Sequence, residues 1–370
     1  MRVLLVSPVD PDVPSDLKFL MGGESTYTKT LLSNPPRNVE YVHHLQALKD
    51  GSVEYLSLQG ILRFLVKFRI LPLAGGSQCF KIKGDFDLVH CHGYSLKMSG
   101  KNIPVILSDS SSNYLFLRDY VNWSEWRINL GYFFRRYLFK LMGILDCDTN
   151  WEKAAKIVVF SEFAKKVHQK LGVPPAKLEV VYPGIALEKS RGSKESRESK
   201  VQILFVGTWF ERKGGPLLLE VFKKLAKVYK NIHLTIVGPV PRYVSINHPR
   251  IKQVDFVPRE DLMRDYFPKA DIFVIVPPKV EGFGFAVIEA MAHGLPSIVS
   301  NVCALPELVQ DGKSGFVVRP GRVGDLKEKL EILIKSQTLR KKMGEAARKS
   351  FSQKFSVEKS NERLLEVYFG

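Results

Sequence analysis

Short apolar runs alternate with longer amphipathic stretches along the whole chain. The predicted strands are residues 3–6, 53–56, 88–91, 105–108 and 157–160 in the first half, and 203–206, 233–237, 253–256, 272–276 and 297–300 in the second. Most of these runs are almost continuously hydrophobic, as strands covered on both faces should be. Their alternation with helical stretches is typical of an α/β protein with mostly parallel sheets.

One polar segment separates the two halves. Residues 186–200 read ALEKSRGSKESRESK, without any aromatic residue, which indicates a solvated linker. We therefore predict an α/β fold with two doubly wound Rossmann-like domains that face each other across a cleft. The predicted parts are a first Rossmann-like domain at 1–186, a linker at 187–200, a second Rossmann-like domain at 201–350 and a C-terminal helix at 351–370 that packs back toward the first domain. Because ligands of such sheets bind outside the carboxyl ends of the strands, the cleft is the expected site.

The charge balance narrows the classes of ligand. The 370 residues include 55 Lys and Arg against 38 Asp and Glu, a net charge of +17, which favours nucleic acid, anionic lipid or phosphorylated small molecules. A hydrophobic fraction of 45% excludes wholesale disorder. The apolar start is too short for a signal peptide and no apolar run reaches the ~20 residues of a membrane span, so we expect a cytoplasmic protein.

The most informative stretch is a β-loop-α-β unit between residues 271 and 320. The strand 272–276 is ended by two prolines, a loop KVEGFGF follows, and a helix is predicted from about Phe285 to His293. Gly294 is placed to end that helix, and the strand 297–300 comes next.

The loop of this unit favours a phosphorylated ligand. Gly282 and Gly284 let the backbone approach a ligand closely, and the start of the helix attracts anions. Glu281 and Glu289 are eight residues apart, and carboxylates beside a phosphate site are suited to accept hydrogen bonds from sugar hydroxyls. A sugar nucleotide has both properties, although Glu281 as a solvated loop residue and Glu289 as a helix-dipole partner would also fit.

The segment EGFGFAVIEAMAHGLP resembles the E-x7-E signature of the retaining glycosyltransferases of family 4, which have the GT-B fold. Further motifs fit the same family over nearly the whole chain: Gly22-Gly23, Asp87-x-x-His90-x-His92, Phe205-Val206-Gly207 with Lys213-Gly214, and Pro306-Glu307 with Gln310-Asp311-Gly312. The resemblance implies transfer of a hexosyl group from a nucleotide sugar, a UDP- or GDP-sugar, to an acceptor hydroxyl with retention at the anomeric carbon. It also implies that the domain at 1–186 is on the acceptor side and that the domain at 201–350 binds the donor nucleotide.

The resemblance also assigns roles around the E-x7-E segment. Glu289 is expected to bind the ribose and Glu281 to contact the donor sugar as a catalytic residue. The backbone amides near Phe283, Gly284 and Phe285 are expected to bind sugar oxygens and phosphate.

A second group of expected donor-site residues follows strand 203–206. Gly207 begins the donor-phosphate loop, and Thr208 occupies the place where the family often has an arginine. Lys213, at the entrance of a helix predicted to begin near Pro216, is expected to neutralise the diphosphate leaving group, with Arg212 compensating for Thr208.

The first half contributes residues at two strand ends. The family places a histidine at the position of His92 that reaches the donor sugar, whereas His90 is expected to be structural, pointing to the opposite face of the strand or sitting deeper. Gly22 and Gly23 are expected to approach the phosphates, with a simple turn as the alternative.

No metal or other cofactor is expected. The strings Asp85-Phe86-Asp87 and Asp146-Cys147-Asp148 have the D-x-D form, but the surroundings of neither string match the other glycosyltransferase fold in which D-x-D holds a metal. No recognisable nucleic-acid-binding module is present, so we expect no specific nucleic acid partner.

Two basic aromatic stretches bear on the acceptor. Residues 61–70 and 127–145 interleave Lys and Arg with Phe, Tyr and Leu, which suits either a helix on an anionic membrane surface or an internal helix with a basic edge. We expect peripheral association with the inner face of the membrane and a glycan or lipid-linked acceptor. The alternatives are a GT-B-like sugar-nucleotide epimerase and a non-catalytic sugar-nucleotide-binding protein.

Overall fold

The structure is a computed structural model that describes residues 1–8, 22–56, 77–186 and 200–370. These residues form two compact units. The first holds 1–8, 24–56, 77–184 and 360–370, and the second holds 22–23, 185–186 and 200–359. The predicted linker, apart from Lys200, lies outside the described residues.

The first unit is built on a parallel sheet. In chain order its strands are β1 (Arg2–Val6), β2 (Glu40–His43), β3 (Val53–Tyr55), β4 (Ser77–Ile82), β5 (Leu88–His92), β6 (Ser95–Gly100), β7 (Val105–Asp109), β8 (Lys156–Val159) and β9 (Leu178–Val180). Six of them pair in parallel in the order β2-β1-β5-β7-β8-β9. The other three form a small mixed sheet in the order β3-β4-β6.

Helices cover this sheet. They are α1 (Gly22–Ser33), α2 (His44–Lys49), α3 (Asn113–Leu115) with a π-helical turn at Phe116–Tyr120, α4 (Glu125–Met142), α5 (Glu162–Lys170) and a 3-10 turn at Pro175–Lys177. Helix α4 ends at Gly143, whose φ of 65° is easily adopted only by glycine and a few polar residues.

The second unit repeats the design. Its strands are β10 (Val201–Val206), β11 (Ile232–Val237), β12 (Ile251–Val254), β13 (Ile272–Ile275), β14 (Ser297–Ser300) and β15 (Gly315–Val318), all parallel in the order β12-β11-β10-β13-β14-β15. Its helices are α6 (Gly215–Val228), α7 (Arg259–Asp261) with short π and 3-10 turns at Leu262–Tyr266 and Phe267–Lys269, α8 (Phe285–Ala292), α9 (Leu305–Leu308), α10 (Val323–Lys335) and α11 (Gln337–Lys354). The last helix, α12 (Val357–Phe369), begins in the second unit and belongs to the first unit from Ser360 onward.

Strand order reverses once in each parallel sheet. In the first unit the reversal lies between β1 and β5, and in the second it lies between β10 and β13. The crevice at the carboxyl ends of such neighbouring strands is where open α/β sheets bind ligands. Two Rossmann-like units with parallel sheets confirm the predicted fold class.

Several local predictions need correction. Residues 53–55 pair antiparallel to β4 in the mixed sheet and not in the parallel sheet. Two predicted helix boundaries hold to within one residue: α6, predicted to begin near Pro216, begins at Gly215, and α8, predicted from about Phe285 to His293, ends at Ala292. The predicted C-terminal helix 351–370 covers the end of α11 and the whole of α12, because α11 continues to Lys354. The sequence reading missed the short strands β2, β4, β6, β9 and β15 altogether.

Candidate donor-binding site

Two loops meet at the strand reversal of the second unit. One follows β10 and carries Arg212 and Lys213, and the other follows β13 and carries Glu281. The Nζ of Lys213 lies 3.0 Å from Oε1 and 2.9 Å from Oε2 of Glu281, while an Arg212 nitrogen lies 3.5 Å from Oε2. The structure therefore brings three of the sequence-predicted site residues into one cluster.

The charge state of Glu281 follows from these neighbours. Glu281 is only 6% exposed, and burial alone would raise its pKa. Lys213 and Arg212 outweigh burial, and the pKa of Glu281 lies below its ordinary value. Glu281 is thus a buried, ionised acceptor, and the cations beside it are held in place.

A glycine caps the start of each of the two helices that follow β10 and β13. Gly214 precedes α6 with a φ of 85°, and a Cβ there would lie 2.0 Å from the carbonyl oxygen of Val276. Gly284 precedes α8 with a φ of 103°, and a Cβ there would lie 2.7 Å from the Leu305 side chain. Helix N-termini bind anions because their first N–H groups lack partners within the helix. The two caps therefore provide two anion-binding helix starts after neighbouring strands.

Glu289 lies one turn into α8 and is buried. Its Oε1 accepts a hydrogen bond from the Nε of Arg259 at 2.9 Å, and its backbone carbonyl lies 2.9 Å from the Nδ1 of His293. Sequence reasoning missed Arg259, the first residue of α7. Arg259 follows β12, a strand of the same parallel sheet, and this position could have identified it as a site residue. It lies among other charged residues, however, and nothing in the sequence distinguishes it from them.

The remaining predicted residues of this site have different surroundings. The Phe283 ring is buried and packs edge-on against Phe285 at 5.5 Å, so only the Phe283 backbone can face a ligand. A Cβ on Gly207 would lie 2.5 Å from the Lys213 side chain, so the glycine makes room for the lysine stem. Thr208 is half-buried.

In the first unit His92 ends β5 and is fully buried. Its Nδ1 lies 3.0 Å from the Ser108 Oγ, and its ring stacks on Phe160 with an interplanar angle of 17°. Tyr27 of α1 packs against the same ring at 4.6 Å between centroids.

His90 shares that face of the strand. Its Nε2 lies 2.8 Å from the same Ser108 oxygen, and its Nδ1 lies 2.5 Å from the Tyr368 hydroxyl of α12. The expectation that His90 points to the opposite face is wrong, because side chains two residues apart along a strand lie on one face. Burial, and then the neighbouring His92, lower the pKa of His90 to about 3, so the ring is a neutral packing residue.

Gly22 and Gly23 are the first two residues of α1 rather than a turn, and both group with the second unit. A Cβ on Gly23 would lie 2.5 Å from the Phe285 ring. The glycine thus permits a close approach to the residue that begins α8.

Among the described residues, one set of side chains has a spacing compatible with a metal ion. Asp109, Asp148 and His168 each offer a ligand atom within 4.8 Å of the others. Asp148 also accepts a hydrogen bond from Tyr132 at 2.8 Å. Asp146, the other carboxylate of that D-x-D string, pairs with buried Arg135 at 2.7 Å and so has a structural partner.

The chain matches known glycosyltransferases in sequence and in structure. The profile of the glycosyl transferases group 1 matches residues 187–350, and the profile of glycosyltransferase family 4 matches residues 36–189. An uncharacterized glycosyltransferase of Methanocaldococcus jannaschii is 29% identical over 297 residues, which cover 76% of this chain and 75% of that protein.

Two solved structures show the same fold. HepE of Anabaena, in complex with UDP and glucose, has a TM-score of 0.63 and 16% identity, with 99% of this chain and 98% of that chain covered. Sucrose-phosphate synthase of Thermosynechococcus elongatus has a TM-score of 0.66 and 16% identity, with 100% and 98% covered. The fold is therefore that of the GT-B glycosyltransferases. Because the two sequence profiles adjoin and together match residues 36–350, the chain belongs to the group 1 glycosyltransferases of family 4.

Proposed function

We propose that this glycosyltransferase moves a hexosyl group from a nucleotide sugar to an acceptor hydroxyl with retention at the anomeric carbon. The observation that carries the proposal is the buried carboxylate of Glu281 held by Lys213 and Arg212 between two glycine-capped helix starts. Such a site offers an acceptor for sugar hydroxyls and positive charge for a diphosphate within one short span of the sheet edge.

The proposed role of each site residue follows from the hydrogen-bond donors and acceptors that it offers. The ammonium group of Lys213 has three N–H donors, and two of these donors can bind the two carboxylate oxygens of Glu281. The third can bind the departing diphosphate, together with Arg212 and the helix N-termini. Glu289 binds the ribose and Glu281 binds the donor sugar. Because cations of the chain neutralise the leaving group, the reaction needs no metal.

Retention follows from attack and departure on one face of the sugar. The acceptor oxygen forms its bond to the anomeric carbon as the bond to the diphosphate oxygen breaks. The proton of the acceptor hydroxyl passes to the departing diphosphate. This route needs no carboxylate nucleophile, in contrast to retaining hydrolases, whose two carboxyl groups lie about 5 Å apart.

A UDP-hexose is the first donor to test, since the structurally similar HepE is described in complex with UDP-glucose and with UDP and glucose. GDP-sugars come second. The acceptor is a glycan or a lipid-linked glycan at the inner face of the membrane.

A thermal-shift panel tests the donor site. A ligand that binds only the folded state raises the melting temperature by mass action. We expect UDP and UDP-hexoses, or else the GDP series, to raise Tm for the wild type but not for Glu289→Ala, equally with Mg²⁺ and with EDTA. Lys224→Ala, a change on the exposed face of α6, is the control and should respond as the wild type does. No shift with any nucleotide would refute the donor site.

Stereochemistry needs a separate readout. Proton NMR of the product formed from an α-linked UDP-hexose should show a new α-linkage with retention. A β-linkage would overturn that part of the proposal, and free nucleotide released only with added acceptor would exclude an epimerase.

A further inference from the structure

Helix α4 has two apolar faces, of which the fold uses one. Ile128, Tyr132 and Phe139 pack into the first unit, and Arg135 is buried beside them in its pair with Asp146. The opposite face carries six large apolar side chains with exposed fractions from 48% to 75%: Trp126, Leu130, Phe133, Phe134, Tyr137 and Leu141. We call these six residues the aromatic stripe.

The spacing of the aromatic stripe makes it continuous. Its members follow one another at intervals of three, four or one residues, so at 3.6 residues per turn they lie within an arc of about 100°. A surface helix normally exposes polar residues on the side away from the core. A continuous exposed apolar stripe on the solvent side is typical of a surface that binds a protein, a ligand or a membrane.

Basic residues border the aromatic stripe on both sides. On the helical wheel Arg127 falls at one edge, and Arg136 and Lys140 fall at the other. All three are exposed, and the Arg136 pair with Glu152 at 3.0 Å is itself about half exposed. Glu125 at the helix start is the only acidic residue within α4. Aromatic rings with cations on both sides match the interface of an anionic bilayer, where rings enter the headgroup region and cations contact lipid phosphates.

We propose that the aromatic stripe docks the protein on an anionic membrane surface, with α4 lying parallel to the bilayer. A second copy of the chain fits the same face poorly, because two copies would bring their basic edges together without acidic partners. Among the described residues no helix is long and apolar enough to cross a membrane. This inference rests on the proposed function, because membrane docking would let the enzyme receive an amphiphilic acceptor from the bilayer.

Vesicle co-sedimentation of the full chain tests the docking. We expect binding to phosphatidylcholine vesicles that contain about a third phosphatidylglycerol, and weaker binding to phosphatidylcholine alone. A variant with Phe133→Ser, Phe134→Ser and Tyr137→Ser should lose about tenfold or more in partition coefficient. The double change Val228→Ser and Tyr243→Ser removes exposed apolar side chains elsewhere and should leave binding unchanged.

A charge variant separates the two contributions. Changing Arg127, Arg136 and Lys140 to Gln should abolish the preference for anionic vesicles and its dependence on salt. Equal vesicle binding by the wild type and the triple Ser variant would overturn the proposal. So would a dimer in sedimentation velocity that the triple Ser variant converts to monomer while the wild type ignores vesicles.

The nucleotide-induced Tm shift distinguishes a failure of the docking proposal from a failure of the proposed function. The triple Ser variant should keep its nucleotide-induced Tm shift, because the stripe lies on the first unit and the donor site on the second. Loss of vesicle binding with the shift retained supports docking. Vesicle binding without any nucleotide shift in the wild type would refute the donor site and leave the docking surface supported.

Discussion

Lys213 contacts both carboxylate oxygens of Glu281, with its Nζ 3.0 Å from Oε1 and 2.9 Å from Oε2. The two residues lie 68 positions apart and come from loops after the neighbouring strands β10 and β13. Each side chain is largely buried, so solvent screens their interaction less than it would a surface pair. In the proposed function, this pair holds in place both the cation for the leaving group and the acceptor for the sugar before a donor binds.

Removal of Lys213 should therefore damage catalysis more than folding. Lys213→Met takes away a cation that we propose neutralises the departing diphosphate, and we expect kcat/KM to fall by about 10²–10³. Arg212 stays near Glu281 and partly compensates the buried carboxylate, so the variant should still fold with a lower Tm. Steady-state release of the nucleoside diphosphate measures the loss.

The control for this variant is Lys224→Met. Lys224 pairs with Glu220 on the exposed face of α6 and lies outside the site. Lys213→Arg should restore part of the activity, because it returns the charge. Full activity in Lys213→Met would contradict the leaving-group role.

Glu289 offers a sharper test of nucleotide recognition. A hydrogen bond to a charged group contributes about 1.5–3 kcal/mol, so Glu289→Gln should weaken UDP binding by roughly 10- to 100-fold. If the carboxylate binds the ribose, the wild type should prefer UDP to 2′-deoxy-UDP or 3′-deoxy-UDP, and the variant should not. Calorimetric Kd values for the three ligands provide the comparison.

Arg259→Gln is the companion change. Arg259 contacts the Glu289 carboxylate and would act as a positioning residue. We expect Arg259→Gln to raise KM for the donor with kcat nearly unchanged.

The Glu289 prediction would be contradicted if Glu289→Gln still preferred UDP to its deoxy forms. That result would show that another group binds the ribose.

The sequence predicted the parts of the site that depend on local patterns. The loop and helix around Gly284 follow from a buried run, a glycine pair and a periodic apolar face, all within 30 residues. Contacts between distant segments were out of reach: Arg259 meets Glu289 across 30 residues, and Tyr368 meets His90 across 278. No local sequence pattern identifies such partners, because the tertiary fold brings these distant segments together.

The short strands illustrate the same limit. Strand β6 reads SLKMSG and has little of the apolar character that identifies a buried strand. It pairs along its length with β4, so its conformation comes from the neighbour rather than from its own composition. The aromatic stripe of α4 was visible in the sequence, but only the structure shows which side of the helix is left exposed.

Gly284 should be the least replaceable glycine of the E-x7-E loop. Gly284→Ala combines a left-handed backbone, which costs about 1–2 kcal/mol, with a methyl group 2.7 Å from Leu305. Gly321→Ala is the matched control, since its φ is 71° but nothing lies within 4 Å of a Cβ there. Both variants should lower Tm through the left-handed backbone, but Gly284→Ala should lower it further and should also lose the nucleotide-induced shift. Equal Tm values for the two variants would show that the loop adjusts freely around the methyl group.

Buried histidines should make stability depend on pH. Burial lowers the pKa of His90 and of His44 to about 3, whereas an unfolded histidine titrates near 6.5. Between these values the unfolded chain binds more protons than the folded one, so the free energy of unfolding falls as pH decreases below about 6.5. Each histidine contributes a slope of up to about 1.4 kcal/mol per pH unit.

Urea unfolding at pH 7.5 and pH 5.5 checks this dependence for the first unit. The wild type should lose stability on acidification, and His90→Gln should lose less, because it removes one of the groups that must take up a proton on unfolding. Tyr368→Phe is the control: it deletes the hydrogen bond to His90 but no proton uptake, so it should lower the free energy of unfolding by a similar amount at both pH values. If His90→Gln and the wild type respond identically to pH, then His90 is not the buried neutral group that its contacts with Ser108 and Tyr368 indicate.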